Sequence, residues 1–320
     1  MPNIITHHYF AEDVLKNSKK DIINSFFGEK DLYYLFTQGF DPFFVYEILP
    51  FNEKLGYFLH DNYIDTFFIN YIKVMKEQKL ENDPALLAAL YGHLTHYVLD
   101  SIIHPFVIYK CGEYNKNRPE TYKYVGVHTR MEVEIDAYLY ETRENKSFKD
   151  LKFHKVNPKK KLNKNILKLL NKIYEETFKV KNGGFKYQKA LNMAYLGLKY
   201  ITNDKYGRKK ALYHKIDKIV ASKGHKIEAF SYYVTSIDKS IFNLEHQPWC
   251  NPCDNTIKSN ESFFDLYNKA IAICVTLFEA TNKYINEEID LMEYQGILKD
   301  NSYVTGLSWQ KKDELQYFAF

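Results

Sequence analysis

The feature that most constrains the fold is a long run of apolar residues at helical spacing, from Ala85 to Ile108. An Asn-Asp-Pro sequence at 82–84 precedes it, in which Asp83 is a good helix N-cap and Pro84 suits the first turn, where no N–H donor is needed. His104 precedes a proline, and the residue before a proline disfavours helical geometry. We therefore predict a helix that begins at Asp83 and ends or bends near His104.

The same spacing recurs at 132–140, 165–180, 187–201 and 262–285, whereas the alternation typical of strands is scarce. These patterns predict an all-α protein. Between residues 144 and 164 the chain becomes rich in lysine, with a run at 159–161. Such a run is typical of a solvated loop, and the alternative is a docking site for anionic lipid or nucleic acid.

Composition excludes several classes of protein. The chain has 320 residues, of which 45% are hydrophobic, and a net charge of only +4, which favours a packed globular protein over a dedicated nucleic-acid binder. The first residues contain no secretion signal, and no run of apolar residues is long enough to span a membrane. We therefore expect a soluble cytoplasmic protein without a transmembrane segment.

Four cysteines are too few and too scattered for a disulfide framework. Cys250 and Cys253 form a C-x-x-C motif, for which the alternatives are redox chemistry, half of a structural zinc site, or two cysteines in a loop. Because no second such motif accompanies the pair, we favour the loop.

Histidine is concentrated before residue 130 and follows a helical pattern there. His96, Asp100 and His104 stand at i, i+4 and i+8, so that a helix would present them to one cleft. His128, Glu132 and Asp136 repeat this spacing further along. Imidazole and carboxylate together suit zinc and similar divalent ions.

A single histidine of this kind is more often a hydrogen-bonded core residue than a metal ligand. Two pairs of the form H-x-x-x-[DE], in a chain that also has Asp41 and His60 nearby, are harder to explain in that way. The pattern therefore indicates a metal site in the first 145 residues.

At this point the sequence resembles the zinc-dependent phospholipase C family, which is related to the S1/P1 nucleases. Residues 1–140 carry the resemblance in matching blocks, which read Thr6-His7-His8-Tyr9-Phe10, Gln38-Gly39-Phe40-Asp41-Pro42-Phe43-Phe44, Leu59-His60, Gly92-His93-Leu94-Thr95-His96-Tyr97-Val98-Leu99-Asp100-Ser101 with His104-Pro105-Phe106, and His128 with Glu132. The resemblance implies a multi-helix bundle with metal ions in a cleft. We predict that the chain is divided into three segments: a metal-binding core at 1–145, a basic linker or exposed loop at 146–165, and a C-terminal helical region at 166–320 packed on the core.

The resemblance also implies a ligand set. Asp41, His60, His96 and Asp100 look like ligands of a first zinc ion, and His104, His128 and Glu132 like ligands of a second. A third ion would use His7 and Asp100 with an N-terminal amine, which removal of Met1 before Pro2 would free. His8 and His93 are alternative ligands, for which we favour positioning or packing roles.

The implied activity is hydrolysis of a phosphate ester, a phospholipid among the candidates, because zinc acidifies a water that attacks phosphorus. We hypothesise that Asp41 also acts as a base for that water. Phe43, Phe44, Tyr46 and Tyr57 form either an aromatic cleft wall or part of the core. No protein partner is indicated, and nucleic acid is expected only as a substrate.

Three alternatives stay open at this point: a nuclease or nucleotide phosphatase of S1/P1 type, an HD-type phosphohydrolase that uses the His60-Asp61 pair, and a metal-stabilised binding protein without turnover. Residues 146–320 carry little recognisable chemistry. Trp249 either covers the cleft or packs in the interior.

Overall fold

The computed structural model describes residues 3–46, 54–115, 117–220, 226–311 and 314–319. The helices in these ranges are α1 (Ile4–Asn17), α2 (Lys20–Ser25), α3 (Lys30–Phe36), α4 (Lys54–His60), α5 (Ile64–Glu77), α6 (Pro84–Cys111), α7 (Val127–Glu144), α8 (Phe153–Val156), α9 (Lys164–Phe178), α10 (Gly183–Gly197), α11 (Arg208–Val220), α12 (Phe263–Ile285) and α13 (Leu291–Leu298). Two short antiparallel strands, β1 (Trp249–Cys250) and β2 (Lys258–Ser259), form a hairpin. The prediction of an all-α fold is confirmed.

Helix α6 is the central element of the fold, and nearly all of its side chains are buried. Its N-terminus is capped as the sequence predicts, since the Asp83 carboxylate accepts hydrogen bonds from the backbone N–H groups of Ala85 and Leu86. Helices α3 and α12 pack against it. A Cβ atom at Gly92 would lie 2.3 Å from the Tyr33 carbonyl oxygen, so glycine allows the close approach of α3.

Of the two predicted outcomes near His104, an end of the helix is excluded, because α6 continues through Pro105 to Cys111. Proline removes one intrahelical hydrogen bond, and the tertiary packing of a helix with nearly all of its side chains buried outweighs this loss. The C-terminal segment packs against the affected turn. A Cβ atom at Gly306 would lie 2.5 Å from the Ser101 carbonyl oxygen and 2.9 Å from Cγ of Pro105.

Residues 146–165 follow α7 and include a single 3-10 turn and α8. Phe148, Phe153 and Leu162 from this stretch are buried, and Lys160 lies 3.5 Å from the Asp31 carboxylate. The division of the chain into three segments stays a prediction. None of the helices in the described ranges has the length and apolar character needed to cross a bilayer.

Candidate metal centre

Four side chains from three elements converge beside α6 to form what we call the inner cluster. Asp41 begins a 3-10 turn (Asp41–Val45), His60 ends α4, and His96 and Asp100 lie one turn apart on α6. One ligand atom from each residue lies within 4.8 Å of all the others. The side chains of His60, His96 and Asp100 are buried, whereas Asp41 is 20% exposed and faces a cleft.

The spacing of the donor atoms in the inner cluster fits a tetrahedral ion. Nε2 of His60 lies 3.1 Å from Oδ1 of Asp41, and Nε2 of His96 lies 3.4 Å from that oxygen and 3.3 Å from Oδ2 of Asp100. A tetrahedral zinc ion with ligands at roughly 2.0–2.1 Å separates its donors by about 3.3–3.4 Å. The donor set is therefore already arranged for such an ion.

Hydrogen bonds on the far side of each ring fix the tautomers of these histidines. Nδ1 of His60 donates to the Gly56 carbonyl oxygen at 2.7 Å, and Nδ1 of His96 donates to that of Thr37 at 3.1 Å. A neutral ring that donates from Nδ1 presents a lone pair at Nε2. Here these lone pairs face carboxylate oxygens, which is repulsive unless a cation lies among them.

Buried atoms without hydrogen bonds lead to the same conclusion. Nε2 of His96 and both carboxylate oxygens of Asp100 are buried and have no hydrogen-bond partner among the described residues. An uncompensated buried carboxylate is strongly unfavourable. A divalent cation would compensate these groups, so the residues fit the zinc that the sequence implies.

A glycine allows the loop before Asp41 to reach the cluster. Gly39 has a positive φ of 46°, and a Cβ atom there would lie 1.9 Å from Cδ2 of His96. Only glycine permits this approach, which brings the Thr37 carbonyl against the His96 ring.

Three further side chains form the outer cluster on the wall of the same cleft. His104 lies on α6, whereas His128 and Glu132 lie one turn apart near the start of α7. Nε2 of His128 lies 3.1 Å from Nε2 of His104 and 2.7 Å from Oε1 of Glu132. Nδ1 of His104 donates to the Tyr303 carbonyl oxygen at 2.9 Å, which directs its Nε2 toward His128.

Of the four histidines in the two clusters, only His128 has a raised pKa, since burial also lowers the pKa of His104 well below its usual value. Burial lowers the pKa of His60 to about 4 and that of His96 well below its usual value, which keeps both rings in the neutral form that binds metal. Burial acts to lower the pKa of His128 as well, but the Glu132 carboxylate and Cys111 together raise it to about 10. Burial and the neighbouring Asp100 raise the pKa of Asp41.

His7 lies against the inner cluster. Its Nε2 atom is 3.3 Å from Oδ1 of Asp100, and its ring stacks on that of His96 with the centroids 4.4 Å apart. Asp100 therefore stands between His7 and His96, as a carboxylate shared by two ions would. Met1 and Pro2 lie outside the described residues, and the third site stays a prediction.

Asp136 holds the helix that carries His7 and is not itself part of either cluster. Its carboxylate accepts hydrogen bonds from the backbone N–H groups of Ile5 and Thr6 and from the Thr6 hydroxyl, at 2.7–3.1 Å. The sequence placed Asp136 on the same helical stripe as Glu132. The structure separates their roles, because Asp136 anchors the first turn of α1.

The cleft that both clusters line has a volume of about 670 Å³. Phe44 stacks on His60 with ring centroids 4.9 Å apart, and Tyr57, which is 55% exposed, packs edge-on against Phe44. These two residues form an aromatic wall. Phe43 instead lies in the core, and Tyr46 packs against it outside the cleft.

Residues of the C-terminal half, in which the sequence shows little recognisable chemistry, also contribute to the site. The Tyr303 carbonyl orients His104, and the Tyr303 ring packs edge-on against His60 at 5.2 Å. Lys226, Phe230 and Thr305 line the cleft. None of them belongs to a motif, and backbone carbonyls carry no signal in the sequence.

Several other candidates lie outside both clusters. Asp61 lines the cleft but is not in the group that contains His60. His93 is buried between Phe40 and Phe67, whereas His8 packs against Tyr34 and lies 3.6 Å from Glu12. These placements agree with the packing roles favoured above.

The other candidates, Trp249, Cys250 and Cys253, lie in the second half of the chain and outside both clusters. Trp249 is buried against Phe106 and donates from Nε1 to the Glu261 carbonyl oxygen, so it packs in the interior and does not cover the cleft. Cys250 ends β1, and Cys253 lies in the turn of the hairpin.

Comparison with known proteins places this geometry in a family. The family model described as zinc-dependent phospholipase C matches residues 6–181, which include His7 and every residue of both clusters. No curated protein and no solved structure gives a significant match. The matched region is more than half of the chain, and the chain therefore belongs to the zinc-dependent phospholipase C family.

Proposed function

We propose that this protein is a zinc-dependent phosphodiester hydrolase of phospholipase C type. The observation that carries the proposal is the inner cluster, which adjoins a cleft. In this cluster the Nε2 atoms of two histidines lie 3.1–3.4 Å from carboxylate oxygens. Zinc bound there would supply a water of lowered pKa and positive charge for the phosphoryl oxygens. The chain itself has to position the ester and move protons.

Asp41 is the residue best placed to take a proton from the attacking water. It is the one carboxylate of the inner cluster that faces the cleft, whereas Asp100 is fully buried. The rings of His60 and His96 are buried, and the carbonyls of Gly56 and Thr37 orient them. We propose that Asp41 both binds metal and acts as the base, and that the other ligands only hold the ions.

Phe44 and Tyr57 would contact the part of the substrate next to the phosphate. Their aromatic faces could pack against a quaternary ammonium headgroup, which favours a phospholipid. The same faces could stack on a base, so a nuclease of S1/P1 type is the second candidate. Asp61 stands outside the inner group, which counts against the HD-type alternative.

Hydrolysis assays separate these candidates. Zinc-loaded protein is incubated with phosphatidylcholine, a chromogenic choline phosphodiester and single-stranded DNA, with chelated protein as the blank. We expect zinc-dependent hydrolysis of the choline esters and loss of turnover in Asp41→Asn. The matched variant Asp61→Asn should remain active.

Full turnover by Asp41→Asn with zinc still bound would exclude the role of Asp41 as the base. If chelation lowered the melting temperature but no substrate were hydrolysed, the protein would be a metal-stabilised binding protein.

A further inference from the structure

The excess positive charge of the chain is concentrated in one segment, residues 195–220. This segment contains seven Lys and Arg residues and two Asp residues, so its net charge of +5 exceeds the +4 of the whole chain. Both acids are used inside the fold. Asp204 accepts from the Lys210 backbone N–H, and Asp217 accepts from the backbone N–H groups of Ile227 and Glu228. The surface of the segment is therefore strongly cationic.

One face of α11 fixes this helix to the protein. Nζ of Lys210 donates to the Tyr233 carbonyl oxygen, and Nδ1 of His214 lies 2.9 Å from the Glu228 carboxylate. With Asp217, these residues stand at i, i+4 and i+7, which places them on one side of the helix. The opposite side is left facing water.

That opposite side, the outer face of α11, consists of Arg208, Leu212, Lys215 and Ile219 at i, i+4, i+7 and i+11. All four side chains are exposed, Leu212 by 54% and Ile219 by 86%. Two aliphatic side chains thus alternate with two cations along one stripe. On the solvent-facing side of a surface helix, polar and charged residues are expected in place of such aliphatic residues.

Further apolar side chains are exposed near α11 in the chain, namely Leu196, Tyr200, Ile201, Tyr206 and Phe230. A nucleic acid offers phosphates to lysine but no apolar phase for leucine and isoleucine. An anionic lipid surface offers both, since aliphatic side chains enter the headgroup region while lysine and arginine pair with lipid charges.

The outer face of α11 is also connected to the cleft. The 3-10 turn Ile227–Phe230 packs against α11, and Phe230, together with Lys226 just before it, lines the cleft beside the outer cluster. A Cβ atom at Gly126, directly before α7, would lie 2.9 Å from Cβ of Lys226. Among the described residues, this turn therefore contacts the basic helix and also lines the cleft.

We propose that the outer face of α11 docks on an anionic phospholipid bilayer. Leu212 and Ile219 insert among the headgroups, and Arg208 and Lys215 pair with lipid phosphates and carboxylates. The inference deepens the proposed function and rests on it for its purpose, since docking beside the cleft would bring lipid phosphate esters within reach.

Vesicle co-sedimentation of the zinc-loaded full-length protein tests the proposal. The vesicles contain phosphatidylcholine, alone or with about one third phosphatidylserine, the lipid that supplies surface charge. We expect binding to the mixed vesicles, reduced on the order of ten-fold in Arg208→Glu/Lys215→Glu and at least about five-fold in Leu212→Ser/Ile219→Ser. Leu244→Ser/Met292→Ser is the matched control, because these residues are 51% and 79% exposed elsewhere, and it should bind like the native protein.

Undiminished vesicle binding by Leu212→Ser/Ile219→Ser would overturn the proposal. Binding of single-stranded RNA without binding of vesicles, abolished by the charge reversal alone, would also overturn it and identify a nucleic-acid surface. Turnover of a soluble chromogenic phosphodiester is measured in parallel. Vesicle binding without any turnover would support the docking surface and contradict the proposed function. Turnover without vesicle binding would support the proposed function and contradict the docking surface.

Discussion

The inner and outer clusters use the same types of donor at different depths. In the inner cluster His60, His96 and Asp100 have almost no exposed surface and only Asp41 is partly exposed, and three separate elements supply the candidate ligands. In the outer cluster His104 is buried, but His128 is 25% exposed and Glu132 11% exposed, and two helices supply all three candidate ligands.

This difference in depth separates two tasks. A buried cluster with unpaired donors is held in place by packing, and it must contain a cation if its charges are to be compensated. A cluster at the wall of the cleft can exchange water and meet the substrate. We therefore expect the inner site to be essential for the fold and for turnover, and the outer site mainly for turnover.

The largest effect is expected for Asp100→Asn. This change removes the buried carboxylate between His7 and His96, so the inner site loses its central negative charge. Turnover of the choline phosphodiester should fall on the order of a thousand-fold, and the melting temperature should fall as well. Asp83→Asn, on the same helix but outside the clusters, is the control and should retain activity because asparagine also caps helices.

A smaller loss is expected for Glu132→Gln, of roughly a hundred-fold in turnover, with little change in melting temperature. Glutamine removes the charge at an accessible position, which leaves the inner cluster intact. Its control is Glu134→Gln, since Glu134 pairs with Arg130 outside the cleft. If Glu132→Gln destabilised the protein as much as Asp100→Asn did, the two clusters would not differ in the way described.

Asp136→Asn tests whether the inner cluster depends on the anchoring of α1. We expect weaker zinc binding by about 10–100-fold, because His7 is positioned through Thr6 and Ile5. Competition with a chromogenic chelator measures this affinity. Asp204→Asn removes another buried carboxylate, which bonds to Lys210 and Ser231 and not to α1, and equal losses in both variants would contradict a positioning role.

The smallest effect is expected from His93, which packs behind the inner cluster. Burial lowers the pKa of His93 to about 3, from about 6.5 in the unfolded chain. The contribution of the neutral, buried His93 ring to the free energy of unfolding is therefore fully present above pH about 6.5 and is lost as the pH falls toward 3. His93→Leu should move the acid unfolding midpoint down by about half a pH unit.

Circular dichroism during acid titration measures this shift. His246→Asn is the control, because His246 is exposed and has a positive φ that asparagine tolerates. An unchanged midpoint in His93→Leu would mean that water reaches the space behind the inner cluster, and the contrast in depth would then be smaller than the structure indicates.

The parts of the site that could be predicted are those that depend on local spacing. His96 with Asp100, and His128 with Glu132, are brought together by the geometry of a single helix turn. Asp41 and His60 lie far from α6 in sequence, and their convergence on His96 depends on tertiary packing. Only the resemblance to a family indicated that they belong together.

Other parts could not be predicted, for physical reasons. The carbonyls of Thr37, Gly56 and Tyr303 orient the histidines, but every residue has a carbonyl and no side chain marks these three. Helix α6 does not end near His104, the first of the two outcomes predicted there, because burial of most of the helix outweighs one lost hydrogen bond. Exposure of the outer face of α11 is likewise a tertiary property.

The most direct test of two distinct metal sites is the number of zinc ions per chain after zinc-replete purification and removal of free metal. Elemental analysis should find at least two ions in the native protein, one for each cluster. Asp100→Asn and Glu132→Gln should each lose zinc while retaining the ion of the other cluster. Fewer than two ions in the native protein, or loss of all zinc in Glu132→Gln, would contradict the account.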